Sequence, residues 1–328
     1  MKTLVSGASG FIGGFLAEQL VASGHQVSCL VRKSSSLQYL NSLLVETRPG
    51  SLEDPDSLCA AVRDVEVVYH LAGVTAESRS GDFARVNSQG TANLVNACLT
   101  AGKKLKKFVY VSSIAAAGPA MDRTPLREEH PPRPLSLYGK SKLAGEEAAA
   151  AASHAFSVTI VRPPAVYGPR DRDILTFFKL IHSGIKPILL GGERYFNLIF
   201  VKDLVEGIAL SASKMEEGCE IYYLSEERPY SWTEVMQTIE SALGKRALPL
   251  PIPLFLLKTI SHATHFISRW TGKSFPLTPD KVAEIEQRYW ICDISKARNQ
   301  LGFTAKTALE GGFFLTAEWY REQGWLSS

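Results

Sequence analysis

Long apolar runs are absent. Nowhere in the 328 residues do about 18 consecutive apolar residues occur, so no segment is expected to span a bilayer. An excess of one charge is absent too: 36 Lys+Arg against 33 Asp+Glu leave a formal net charge of +3, which excludes the basic surplus of a nucleic-acid binder. Close-spaced cysteines are missing. Cys29, Cys59, Cys98, Cys219 and Cys292 stand far apart, so neither a metal motif nor a dithiol redox motif is expected. Their odd number, and a start in which glycines interrupt the apolar residues after Lys2 with no cleavage-type site, point to reduced thiols in a cytoplasmic setting. Internal repeats and disordered low-complexity tracts are lacking as well; the alanine run at 148–152 suits a helix. What remains is a composition of 45% hydrophobic and 21% charged residues, that of a globular chain long enough for one large domain and a smaller lobe.

The chain opens on "VSGASGFIGG", residues 5–14. Residues 2–6 read as a short buried strand and 11–22 as a helix, with Gly7, Gly10 and Gly13 in the turn between. Glycine allows the tight turn, lets a pyrophosphate approach the backbone, and lets helix and strand pack closely. The amides at the helix start then face an anion, aided by the helix dipole. The strand–turn–helix context favours a dinucleotide site over mere turn punctuation. A second strand, 26–31, is followed by "RKSSS" where an NAD site would place an acidic residue. A guanidinium and hydroxyls suit a 2′-phosphate, so Arg32 and Lys33 predict NADP(H) favoured over NAD(H). A solvated basic turn is the plainer alternative.

Alternation continues along the chain. Residues 43–47, 66–70, 107–112 and 157–161 read as strands, and 54–62, 83–101 and 137–153 as helices. This predicts an α/β fold: a doubly wound parallel Rossmann sheet with a smaller mixed C-terminal substrate-binding lobe. The dinucleotide-binding domain is expected over 1–165 with a return segment at about 198–223, and the lobe over 166–197 and 224–328. "HLAG", residues 70–73, falls at the carboxyl end of a strand, where small residues admit the cofactor. His70 itself reads as a packed strand residue. "YGKSK" is the sharpest chemical signal, because Tyr138 and Lys142 are four apart and share a helix face. A phenol ordinarily titrates near 10, too high for proton transfer at neutral pH. A neighbouring ammonium favours the phenolate, and lowering that value by about three units needs roughly 4 kcal/mol, within reach of a close, partly buried pair. The motif follows a strand ending in "VSS", residues 111–113, a combination far more specific than either part.

With "GASGFIG", "YHLAG", "VNSQGTANL", "YVSSIAAAG", "YGKSK" and "RPPAVYGPRD" in order, essentially the whole chain resembles the extended short-chain dehydrogenase/reductase family. The resemblance implies hydride exchange between a nicotinamide and a carbinol or carbonyl carbon. Tyr138 is then the acid/base, Lys142 tunes it and binds the nicotinamide ribose, and Ser113 hydrogen-bonds the reacting oxygen. Asn87 supports this machinery structurally. The implied cofactor contacts are Gly7, Ser9, Gly10, Phe11, Ile12, Gly13, Arg32, Lys33, Leu71, Ala72, Gly73, Tyr138, Lys142, Pro163 and Val166. Ser51 and Leu52 fall at the adenine contact, although the family usually has aspartate at the first of these. Thr75, Ala115, Tyr167 and Phe196 are the expected substrate contacts.

The resemblance divides over the substrate. Nucleotide-sugar epimerases and dehydratases commonly carry an arginine where "GGERYFNLIFVKDL" has Phe196, and a tyrosine where this chain has Ala117. Arg194, two residues earlier, is left either as a substitute grip or as a surface residue. "LPLPIPLFLLKTISHATHFISRW", residues 248–270, resembles the branch containing 3β-hydroxysteroid dehydrogenase-like enzymes, which implies a bulky apolar sterol-, terpenoid- or acyl-like substrate. Its apolar stripe, Leu256, Ile260, Ala263, Ile267 and Trp270, reads as lobe packing, as a cover over an apolar pocket, or as shallow membrane attachment. Lys258, Ser261, His262, His265 and Arg269 are its polar positions. The two histidines have no third ligand nearby, so no metal is expected. "GKKLKKF", residues 102–108, reads as a solvated turn, and 131–138 as a loop at the pocket rim. A nucleotide-sugar epimerase or dehydratase is the alternative activity and a non-catalytic nucleotide sensor the third. A homodimer is expected through the helices at 83–101 and 137–153, with no nucleic-acid partner and peripheral membrane contact left open.

Overall fold

The computed structural model describes the backbone of residues 1–77, 81–214, 217–271 and 277–327, and the side chains of all these except 265–271. Ile267 and Trp270 of the predicted stripe, with His265 and Arg269, therefore lie outside the described side chains.

The first half builds six strands, β1 (Lys2–Ser6), β2 (Gln26–Val31), β3 (Val45–Pro49), β4 (Val67–His70), β5 (Lys107–Val111) and β6 (Ser157–Arg162). Between them run α1 (Phe11–Ala22), α2 (Pro55–Val62), α3 (Gly90–Ala101), the single turn α4 (Ile114–Ala117) and α5 (Leu137–Ala151). A later strand, Cys219–Tyr223, joins β6 to complete a seven-stranded parallel sheet whose order is Cys219–Tyr223, β6, β5, β4, β1, β2, β3. Side chains alternate between its two faces. Val5, Tyr69, Val109 and Val111 pack toward α1 and the Val201–Ser213 helix. Leu4, Val68, Phe108 and Tyr110 pack toward α2, α3 and α5. The strand order reverses between β1 and β4, so the crevice for a ligand opens above their carboxyl ends.

Two segments differ from expectation. The strand expected at 43–47 starts at Val45, because Leu40 and Leu43 are used in turns that bond back to Leu37 and Leu40. It ends at Pro49, which an edge strand tolerates because no neighbour needs its missing N–H. The helix expected over 83–101 begins as a wide π-helical stretch, Phe83–Gln89, before becoming α3. Thr91 Oγ1 donates to Asn87 O at 2.6 Å, inserting a hydroxyl into the ladder there.

The second lobe has its own core of Tyr167, Phe178, Phe200, Ile239, Phe313 and Tyr320. Three small sheets frame it. Leu198–Phe200 pairs with Ala165–Tyr167, Ile185–Leu189 pairs with Leu248–Ile252, and Tyr195–Phe196 lies between Tyr230–Ser231 and Tyr289–Trp290. The Trp232–Leu243 helix opens on a capping box of Ser231 and Glu234. No helix among the described residues is long and apolar enough to cross a membrane.

Candidate active site

Four strand ends converge above the switch point. After β1, α1 starts at Gly10 with no side-chain cap and no acidic residue in its first turn, so its amides are left for an anion. Gly13 seats the helix on the turn: a Cβ there would lie 2.2 Å from Gly7 O. Ser9 and Gly10 are accessible, whereas Gly13 is buried. After β4, Leu71, Ala72 and Gly73 lie at the same edge. A Cβ at Gly73 would meet Asn87 Oδ1 at 2.9 Å and Lys142 Nζ at 4.0 Å, which places this turn directly against the predicted lysine. This donor set and these small residues fit a dinucleotide diphosphate and a nicotinamide ribose. Arg32 and Lys33 are exposed beyond β2, in a turn held by Ser35 N to Arg32 O, 2.9 Å, and Arg32 N to Ser35 Oγ, 3.1 Å. After β3, Ser51 N donates to Ser57 Oγ at 3.2 Å, and Leu52 packs into the core with its carbonyl taken by Asn93 Nδ2 at 2.8 Å.

The chemistry gathers where β5 meets α5. Ser113 caps α4, accepting from Ala115 N at 3.1 Å, and its hydroxyl is near enough to the Tyr138 phenol to pull its pKa down. Ile114 N donates to Pro163 O at 2.9 Å, which brings the segment after β6, with Pro163 and Val166, beside the serine. Lys142 is buried; its ammonium donates to Val111 O at 2.7 Å and lies 4.4 Å from the centre of the Tyr110 ring. Asn87, also buried, holds Val74 by both its N–H and C=O at 2.8 and 3.0 Å and donates to Ser141 Oγ at 3.0 Å. It fastens the β4 loop to α5.

Electrostatics here depart from the expectation for the tyrosine. Burial pushes the Tyr138 phenol up to about 12, with the nearby Ser113 hydroxyl pulling it down and Glu284 and Asp173 pushing it further up. Burial also drives Lys142 down to about 7, against the pull of the Glu146 carboxylate. The lysine's own charge is thus the disfavoured one, and in the protein alone the phenol keeps its proton. His70 is a fully buried neutral imidazole, driven down to about 3 by burial and then by Lys142. It links Ser6 Oγ at 2.6 Å to Thr91 Oγ1 at 2.9 Å.

Two sets of residues escaped the sequence reading. Glu146 lies one turn past Lys142 and forms a buried ion pair with Arg162, 2.6 Å, while accepting from Ser112 Oγ at 2.6 Å. The four-residue spacing of Tyr138, Lys142 and Glu146 was the signal for it. From the other lobe, both Asp280 carboxylate oxygens accept from Leu137 N at 2.9 Å, and Glu284 accepts from Ser136 Oγ at 2.6 Å. These acids cap the catalytic helix across more than a hundred residues of chain, and no local pattern announces them.

Among the expected substrate contacts, Thr75 is exposed at the β4 loop, Ala115 is buried in α4 beside Ser113, and Phe196 is half-buried against Trp232. Tyr167 is fully buried in the lobe core, where its hydroxyl donates to Glu226 at 3.0 Å. Arg194 is not a surface residue either. It is buried and donates to Ile285 O and Gly192 O, each at 2.8 Å. Among the described residues no group of His, Cys, Asp and Glu is arranged to hold a metal.

A family model described as the NAD dependent epimerase/dehydratase family matches residues 3–224. A protein of Caulobacter vibrioides named ceramide reductase is 32% identical over 98% of this chain and 95% of its own length. N-acetyl-alpha-D-glucosaminyl-diphospho-ditrans,octacis-undecaprenol 4-epimerase of Escherichia coli O157:H7 is 27% identical over 97% of this chain and 95% of its own. The solved structure of MoeE5 in complex with UDP-glucuronic acid and NAD superposes with a TM-score of 0.78 at 26% identity, covering 98% of this chain and 100% of the other.

Proposed function

Since the chain belongs to the NAD-dependent epimerase/dehydratase family, and is an NAD(P)-dependent enzyme of the extended short-chain dehydrogenase/reductase type, we propose that it reduces or oxidises a lipid-like substrate. The group transformed is the ketone or hydroxyl of a bulky apolar molecule of the sterol, terpenoid or acyl class, with NADP(H) favoured. The observation that carries the reading is Tyr138 and buried Lys142 one turn apart on α5, with the Lys142 ammonium on Val111 O at 2.7 Å beside Ser113, at the end of the sheet where the glycine turn presents its amides. A nicotinamide bound there supplies or accepts the hydride. Tyr138 holds the proton to be given to the substrate oxygen, Ser113 orients that oxygen, and Lys142 sits below them on Val111 O. A phenol that retains its proton suits the reductive direction. Asn87 and the Asp280–Glu284 pair position α5 so that these groups meet.

Apolarity of the substrate is supported by Ala117 and Phe196 in place of polar groups, and by the ceramide reductase relative. Exposed Arg32 and Lys33, with Ser35 in the same turn, support the 2′-phosphate preference. We take 1–165 with 198–223 as the cofactor half, 166–197 and 224–328 as the substrate half, and a cytoplasmic homodimer packed through α3 and α5 as the working form. The test is turnover of long-chain and sterol ketones with NADPH and with NADH. Tyr138→Phe should lower kcat by about 10²–10⁴-fold while cofactor affinity stays within a few-fold. Arg32→Ser should erase the NADPH preference. Full activity in Tyr138→Phe overturns the reading.

One observation favours a second reading. Arg194 Nη2 is buried without a hydrogen-bond partner among the described residues, beside a cavity of ≈ 230 Å³ lined by Leu189, Gly191, Gly192 and Trp232, among others. A diphosphate oxygen would satisfy it, as a nucleotide-sugar epimerase or dehydratase requires. Turnover of UDP- or dTDP-sugars without net change in the cofactor would establish that activity instead.

A further inference from the structure

We propose that the protein docks on an anionic lipid surface through the Leu248–Ile252 strand and the first turns of the Leu254–Thr271 helix. The apolar-substrate reading supplies only the purpose of such docking; the binding itself stands on the following observations.

The helix is turned inside out. Phe255 is 70% exposed, with Leu256 and Ile260 exposed beside it, whereas Ser261 on the opposite side is fully buried. Helical spacing puts Phe255, Leu256, Thr259, Ile260 and His262 on one face, and Leu254, Leu257, Ser261 and Thr264 on the other. The inward polar groups are satisfied at home: Ser261 Oγ donates to Lys258 O at 2.8 Å, and Thr264 Oγ1 to Leu277 O at 2.9 Å. The inward side packs against the Pro279–Glu286 helix, so the apolar side is the one left outward. The adjoining strand extends the patch. Leu248, 80% exposed, lies in register with exposed Ile185, and Leu190 N donates to Ile252 O at 3.0 Å, which brings exposed Leu190 alongside.

Charge identifies the partner. Residues 241–279 contain Lys245, Arg246, Lys258, Arg269 and Lys273 but no aspartate or glutamate, in a chain whose whole excess is +3. Lys245 and Arg246 are exposed immediately before the strand, and Lys258 stands on the helix with its ammonium on Glu286 at 2.7 Å. An apolar face rimmed by cations fits the boundary between acyl chains and anionic headgroups. A second copy adding a strand is disfavoured. Leu248 N already bonds inward to Gly184 O, so the outward N–H positions fall on Pro249 and Pro251, which have none.

Flotation of the full-length chain with vesicles tests this, using phosphatidylcholine alone or enriched in phosphatidylglycerol. The wild type should float with the enriched vesicles and be released by salt, each cation contributing about fivefold. Lys245→Glu with Arg246→Glu should lose the phosphatidylglycerol preference. Phe255→Ser with Ile260→Ser should bind at least about tenfold more weakly, while its turnover of a short soluble ketone stays unchanged. A wild type left in solution, or a serine variant that floats equally well, overturns docking. So does a serine variant that converts a dimer to a monomer in light scattering, since the face would then belong to a second copy. Floating without any ketone turnover would instead leave docking intact and refute the activity.

Discussion

Lys142 should cost the fold stability near neutral pH, and Lys142→Met should recover it. The residue is 5% exposed, and its ammonium is pushed from 10.5 down to about 7 by burial, with Glu146 only partly opposing. The unfolded chain holds that proton up to pH 10.5, so between the two values the unfolded state binds more protons and stability rises with pH. At pH 6 the folded lysine is charged and the full cost applies, about 5 kcal/mol at 1.36 kcal/mol per pKa unit. At pH 9 it is neutral when folded, and only about 2 kcal/mol remains, the work of removing the proton at that pH. The bond to Val111 O at 2.7 Å is lost in the methionine variant at either pH, so it cancels in the comparison. Urea unfolding of both proteins at the two pH values should show the gain from Lys142→Met to be about 3 kcal/mol larger at pH 6 than at pH 9. The same variant should be catalytically dead. A gain that does not change with pH would refute the claim that burial opposes this charge.

Glu146→Gln leaves the Arg162 guanidinium charged in the interior, and a loss of about 3–5 kcal/mol in unfolding free energy is expected from denaturant titration. Gly13→Ala places a methyl 2.2 Å from Gly7 O, so the turn must open; calorimetric titration should then find cofactor binding at least about a hundredfold weaker. Asp280→Ala removes the acceptor from the start of α5, costing about 1 kcal/mol and lowering kcat more than it changes cofactor KM.

The first half of the chain was legible because its signals are local. A strand, a glycine turn and a helix at residues 2–22 lie where the sequence places them, since the glycine spacing between two apolar stretches marks the turn locally. The four-residue step from Tyr138 to Lys142 needs only the helix to put both on one side. Boundaries were less legible where a side chain competes with the backbone, as Thr91 does on Asn87 O, or where a turn claims residues with strand character, as at Leu43.

By itself, then, the sequence determined the parallel α/β architecture and the kind of chemistry, because periodicity and residue spacing act over one or two turns of chain. Tertiary structure alone decided the charge states and the supports. Lys142 is weakened and the Tyr138 phenol keeps its proton because loss of solvent around buried Lys142 and half-buried Tyr138 disfavours their charged forms. Asp280 reaches the start of α5, Arg194 disappears from the surface and Phe255 stays on it. Burial and long-range hydrogen bonding set all of these, and both depend on which distant segments the fold brings together.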